Sequence, residues 1–144
     1  MRISTLLGTK GASVVTIRRA ASVADAVALL SEHGVGALVV SDDGLHIDGI
    51  VSERDVVRRL HDLKAGLLAE SVTLIMSSEV ETCSPDDDVE SLSVTMTEHR
   101  IRHVPVVDDG GVLVGIVSIG DVVKSRMEEL QRDRDVLVEY IHAR

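Results

Sequence analysis

The chain has 144 residues, of which 44% are hydrophobic, enough for a packed core and too many for a disordered chain. Its net charge of −9 argues against a nucleic-acid partner, which needs a positive surface, and one Tyr with no Phe or Trp removes the stacking platforms of single-strand binders. The size is that of one compact domain or one intimate pair of half-domains with an aliphatic core.

In chain order, Ile3-Ser4-Thr5-Leu6-Leu7-Gly8 reads as a short opening strand, followed by a loop around Lys10 and Ser13. Ser22-Val23-Ala24-Asp25 has the form of a capping box with Asp in place of Glu, and Val23, Ala26, Val27 and Leu30 then recur at helical spacing. The helix ends near His33, and a β-rich run over 35–40 leads to the turn Asp42-Asp43-Gly44, where Asp-Gly supplies positive φ. A return strand over 46–51 runs into a helix starting near Glu53, which a short link over 61–71 completes. The pattern then recurs. Val72-Thr73-Leu74-Ile75-Met76-Ser77 is the second opening strand, and Asp88 starts a helix with the stripe Val89, Leu92 and Met96. Strands follow over 101–107 and 112–117, joined by Asp108-Asp109-Gly110, before a helix starting near Ile119. That helix continues past Val123, with Met127, Leu130, Leu137 and Ile141 on one face.

The recurrence is a duplication. Residues 32–57 and 98–123 align without a gap at an offset of 66, and 13 of the 26 positions are identical. A fixed internal period means one supersecondary unit built twice. Two such units bury their apolar faces against each other and leave two related clefts suited to a small ligand. The single cysteine, Cys83, aligns with Ile17 and reads as a small buried hydrophobe. No run of ~18 apolar residues spans a membrane, and the N-terminal segment lacks the h-region of a secretory signal, so the expectation is a cytoplasmic protein.

The sharpest motifs are Gly49-Ile50-Val51-Ser52-Glu53-Arg54-Asp55 and Gly115-Ile116-Val117-Ser118-Ile119-Gly120-Asp121. Each gives a strand end, a hydroxyl, and an acid three residues on at a helix start. Ser-x-x-Asp caps a helix without any ligand. The same geometry offers N–H groups and a partial positive charge to a phosphate, and a carboxylate to ribose hydroxyls. Both readings hold together. His99 and His103 are four apart, but the helix ends near Arg100, so they do not share a face and no metal site is expected. No Walker loop, Rossmann fingerprint or acid–base carboxylate pair is present in the sequence.

With Ile75-Met76-Ser77, Arg100-Ile101-Arg102-His103-Val104-Pro105-Val106 and the two Gly-Ile-Val-Ser-x-x-Asp endings, residues 3–130 resemble a tandem pair of CBS domains, a Bateman module. The chain is similar to small stand-alone bacterial members. It departs in having Leu38-Val39 where the second copy has Val104-Pro105, and Gly34 and Gly36 where the second has Arg100 and Arg102. The resemblance implies an α/β (α+β) fold of two pseudo-twofold-related β-α-β-β-α repeats packed sheet to sheet. The expected boundaries are 1–68 and 69–130 for the repeats and 131–144 for a helical tail. It further implies a homodimer and a non-catalytic module that binds an adenosine-containing ligand (AMP, ADP, ATP, NAD(H) or S-adenosylmethionine) and acts on a regulated protein. The alternative is a ligand-free dimerisation module. Carried over by position, cleft A takes Ser52, Arg54 and Asp55, with Val80, Ile101, Arg102 and His103 around the base. Cleft B takes Ser118, Gly120 and Asp121 with Arg102 and His103, its base against Ala12, Val14, Val35, Gly36 and Ala37. Because Gly36-Ala37 is smaller than Arg102-His103, cleft B is expected to be the better site, while Arg54 keeps cleft A in contention.

Overall fold

The structure is a computed structural model that describes residues 1–143. A helix α1 (Ile3–Lys10) precedes the first repeat, which runs β1 (Thr16–Ile17), α2 (Val23–His33), β2 (Ala37–Val40), β3 (Gly49–Ser52) and α3 (Glu53–Leu63). Two 3-10 turns, Lys64–Ala69 and Val72–Leu74, link it to the second repeat of α4 (Val89–His99), β4 (His103–Val107), β5 (Leu113–Ser118) and α5 (Ile119–His142). The β-α-β-β-α order is complete in the first copy, and the second keeps its α-β-β-α part. β1 pairs parallel with β2 through Ile17 and Val40. In the second copy that strand shrinks to one parallel bridge between Cys83 and Val106, each 66 residues on. β2–β3 and β4–β5 are antiparallel.

The helices start where local chemistry dictates. Ser22 Oγ accepts from Asp25 N at 3.1 Å, and Asp25 Oδ2 accepts from Ser22 N at 3.1 Å, closing the capping box. Asp88 accepts from the Glu90 and Ser91 amides at the start of α4. The stripes Val23, Ala26, Leu30 and Val89, Leu92, Met96 are buried, whereas Val27 is 37% exposed. The Asp-Gly turns differ from expectation. Gly44 has the positive φ of 74°, but in the second hairpin it is Gly111, at 77°, and not Gly110. A register shift at Val106/Val107 moves that turn by one residue. The first return strand starts at Gly49 rather than at residue 46, because the Asp43 carboxylate accepts from Leu45 N and His46 N at 2.8 Å each and fixes a loop there.

Neither opening segment is a strand, a correction to that reading: residues 3–8 lie in α1, and 72–77 form a 3-10 turn over Val72–Leu74 followed by an isolated bridge of Ser77 with Ile50, and each segment serves the other repeat. Ile3, Leu6 and Leu7 of α1 join the core of the second repeat with Val89, Met96, Val104 and Val117. Leu67, Val72 and Ile75, from the link, join the core of the first with Val23, Leu38 and Val51. Glycines at equivalent positions make the fit possible. A Cβ on Gly115 would lie 2.8 Å from Leu7 Cδ2, and one on Gly49 would lie 2.7 Å from Met76 Sδ and 2.9 Å from Ser77 O. Ser77 and Ile50 also exchange two backbone hydrogen bonds. Burying a leucine in such a place contributes about 1.5–3 kcal/mol, so the exchange ties the halves together strongly.

Candidate functional site: two clefts with different charge

β3 delivers Ser52 to the start of α3, and β5 delivers Ser118 to the start of α5. Asp55 Oδ2 accepts from Ser52 N at 2.8 Å and from Ser52 Oγ at 3.1 Å. Asp121 Oδ2 accepts from Ser118 N at 2.8 Å, and Ser118 Oγ accepts from Asp121 N at 3.2 Å. The first helical amides are also matched, Glu53 N to Gly36 O at 3.0 Å and Ile119 N to Arg102 O at 2.8 Å. Capping therefore operates in both copies. It uses one oxygen of each carboxylate, and Oδ1 of Asp55 and of Asp121 has no hydrogen-bond partner among the described residues. Each cap leaves one acceptor for a ligand hydroxyl.

Beside the first cap lies a cavity of about 510 Å³, within the size range of small-ligand sites. The first repeat lines it with Gly36, Ala37, Ser52, Arg54 and Asp55, joined by Glu53 and Arg58. The second contributes His99, Arg100, Ile101, Arg102 and His103. This brings together all the residues assigned to cleft A except Val80, which is half-buried and is not on its wall. Gly36 and Ala37, assigned by size to cleft B, are on this wall. Gly36 is small for a steric reason. A Cβ there would stand 3.0 Å from His103 Cε1 and 2.8 Å from Glu53 Oε1, so the glycine lets both side chains close in. Burial pushes the His103 imidazole below its ordinary pKa; Glu53 and Asp121 pull it up, and Arg102 and Lys10 reinforce the depression. His103 lines cleft A, and Glu53 on that side and Asp121 at the second cap both favour its charged form.

At the second cap the charge is already matched. Lys10, the last residue of α1, places Nζ 2.7 Å from Asp121 Oδ2 and 2.6 Å from Ile116 O. Burial pushes the Asp121 carboxyl up, but the hydrogen bonds from Lys10 and Ser118 outweigh it and hold the acid below its usual range. Gly120, beside Ser118, is exposed. Ala12 and Val14 lie on the connection from Lys10 to β1, and Val35 packs against the first core. Lys10 is the site residue that sequence reasoning missed. Its signal was a cation at the end of an apolar segment, and its meaning depended on α1 crossing to the second repeat.

The other candidates are structural. Cys83 is buried and its Sγ lies 3.7 Å from Pro105 O; burial pushes the thiol pKa up to about 12, so no thiolate forms near neutrality. No group of three or more metal-ligating side chains occurs among the described residues. No helix among them is long and apolar enough to cross a membrane. A second cavity of about 360 Å³ lies between α4 and α5, lined by Val89, Val122, Val123 and Met127 among others.

Both repeats match the CBS domain, over residues 9–62 and 69–128. The chain belongs to the CBS domain family. The CBS-domain-containing protein of Agrobacterium tumefaciens, a solved structure, is 40% identical, covers 88% of this chain and 99% of its own, and superposes with a TM-score of 0.83. A mitochondrial CBS domain-containing protein of Arabidopsis thaliana is 40% identical over 77% of this chain; the chain spans 57% of that relative's length. Two further solved CBS pairs hold adenosine compounds. One, from Pyrobaculum aerophilum, is complexed with AMP (31% identical, TM-score 0.74, covering 84% of this chain and 89% of that one). The other is a CBS pair complexed with 5′-methylthioadenosine and S-adenosyl-L-methionine (25% identical, TM-score 0.80, 90% and 98% covered).

Proposed function

We propose that this CBS pair is a non-catalytic regulatory module that binds an adenosine-containing ligand between its repeats, chiefly in cleft A. The observation that carries the reading is the cavity of about 510 Å³ where the free Oδ1 of Asp55, the start of α3 and four arginines converge. The ribose diol donates to Asp55 Oδ1, the phosphate meets Ser52 and Arg54, and the base lies toward Ala37 and Ile101. The adenosine compounds held by two CBS pairs of similar fold support the ligand class. In cleft B a ligand must first displace Lys10 from Asp121, which ranks that cleft second. Binding stiffens the joint between repeats and shifts the population of a surface read by a regulated protein, in the cytoplasm.

A thermal-shift panel of AMP, ADP, ATP, NAD, NADH and S-adenosylmethionine tests this. At ~100 Kd of free ligand, linkage adds about 2.7 kcal/mol, which raises Tm by about 5–10 °C. No shift with any of them at saturation rejects the reading in favour of a ligand-free dimerisation module.

The module is further proposed to be a homodimer. Val123, Met127, Leu130, Leu137 and Ile141 on α5 are each at least half exposed and continue the apolar groove between α4 and α5. An isologous pairing covers them. Light scattering at tens of micromolar should give twice the 15.5 kDa chain mass; a monomer refutes the dimer.

A further inference from the structure

Arg54 and Arg58 stand one turn apart on α3, and Arg100 and Arg102 flank Ile101 between α4 and β4; all four line cleft A. None of the four guanidiniums makes an ion pair or hydrogen bond among the described residues. Elsewhere Arg19 pairs with Asp42, Arg59 with Leu74 O, Arg126 with Glu129 and Lys10 with Asp121, while Arg18, Lys64, Lys124 and Arg132 are scattered singly without a side-chain partner among the described residues; only in cleft A do four unpaired cations share one cavity wall. Against four cations the cavity wall carries two carboxylates, Glu53 and Asp55, in a chain of net charge −9.

The duplication shows that this charge is particular to one cleft. At an offset of 66, Arg54, Arg100 and Arg102 correspond to Gly120, Gly34 and Gly36, and Arg58 corresponds to Lys124. Arg100 is also conformationally costly. It ends α4 at φ 55°, a left-handed position that its counterpart Gly34 fills at φ 60° without a Cβ penalty. A strained arginine at a cavity mouth, where the same fold uses glycine in its other copy, indicates that its charge serves a ligand.

Building on the adenosine reading, we infer that cleft A selects an adenine nucleotide by a chain of two or more phosphates ending in a free terminal phosphate, so that ATP and ADP bind in preference to AMP. Arginine forks match phosphate oxygens in two-point contacts, and each added phosphate engages another unpaired guanidinium. Cationic S-adenosylmethionine is repelled by the same residues.

Isothermal titration of the full chain, without added divalent cations, with ATP, ADP, AMP, NADH, S-adenosylmethionine and inorganic tripolyphosphate tests the inference. The expected order is ATP, ADP, AMP, with ATP at least about tenfold tighter than AMP. Arg100→Gly should keep or raise Tm while weakening ATP about tenfold and AMP by less than about threefold. Arg58→Gln, on the exposed face of α3, should reproduce the selective loss. Equal affinities for AMP and ATP, or tighter binding of NADH or S-adenosylmethionine, overturn the inference and leave the adenosine reading standing. Binding of tripolyphosphate with no adenosine compound bound overturns both as stated, and so does the absence of any binding.

Discussion

The two clefts are built from one blueprint and carry different electrostatic settings, an excess of unpaired cations in one and a matched pair in the other. Each begins with a strand that ends in Ser, a capping Asp three residues on and one unused carboxylate oxygen. In cleft B the carboxylate faces Lys10, a cation brought by α1 from the other end of the chain. In cleft A no cation among the described residues is paired with Asp55, and four arginines stand nearby without partners among them. Duplication preserved the cap because the cap starts a helix, and the surroundings diverged. Ser-x-x-Asp thus reports a helix start in both copies, and the charge around it separates a satisfied end from one prepared for an anion.

That contrast can be broken from the α1 side with the largest effect. Leu7→Ala removes a buried leucine from the second core and loosens the helix that carries Lys10. A loss of about 2–5 kcal/mol is expected in chemical denaturation. Isolated repeats with independent cores would instead show α1 as dispensable, with a loss below about 0.5 kcal/mol.

A more selective comparison uses the two acids. Asp55→Ala should weaken ligand by about 1.5–3 kcal/mol, tenfold to more than a hundredfold in Kd, and cost about 1 kcal/mol of stability through the cap. Asp121→Ala should cost stability similarly while changing affinity less than about threefold. Titration calorimetry and melting of both variants check this; equal affinity losses would mean two equivalent sites.

Lys10→Met sharpens the account of cleft B. The Asp121 carboxyl sits below its unfolded value, so its contribution is present above about pH 4 and is lost as pH falls through the lower folded value. Removing Lys10 should lower stability at pH 7 by about 1 kcal/mol and flatten the acid limb of the stability profile. An unchanged acid limb would show that the 2.7 Å pair has no thermodynamic weight.

The smallest expected effect belongs to His103. Its folded pKa is depressed, chiefly by burial, so the unfolded chain binds the extra proton first. Stability should hold above about pH 6.5 and decline as pH falls below it, and His103→Gln should remove that decline. Of the facing groups, Glu53 and Asp121 favour the charged ring and Arg102 and Lys10 oppose it, with burial the largest influence. Melting curves between pH 5 and 8 give the slope, and identical slopes in both proteins would assign it elsewhere.

What was legible in the sequence follows from what is local. The boxes at Ser22, Ser52 and Ser118 and the stripe Val89, Leu92, Met96 depend on neighbours three or four residues away, and the structure has them as read. The offset of 66 placed Cys83 opposite Ile17, and both fill the same bridge position. Residues 3–8 and 72–77 match as counterparts in the sequence, but the helix over 3–8 and the 3-10 turn over 72–74 are not legible there, because short apolar runs do not separate strand from helix. Nor could spacing show that each packs on the other repeat's glycine. Lys10 was illegible for the same reason. Its partner is 111 residues away, whereas Gly36 stands in cleft A through its neighbour Ala37 pairing with Ser52 and its own carbonyl accepting from Glu53 N.

The difference between the clefts is tested most directly by a crystal structure of the protein grown with ATP. The expected result is ligand density in cleft A, the ribose on Asp55 Oδ1 and the phosphates among Arg54, Arg58, Arg100 and Arg102, with Lys10 still on Asp121. Density at Asp121 with Lys10 displaced, and cleft A empty, would contradict it.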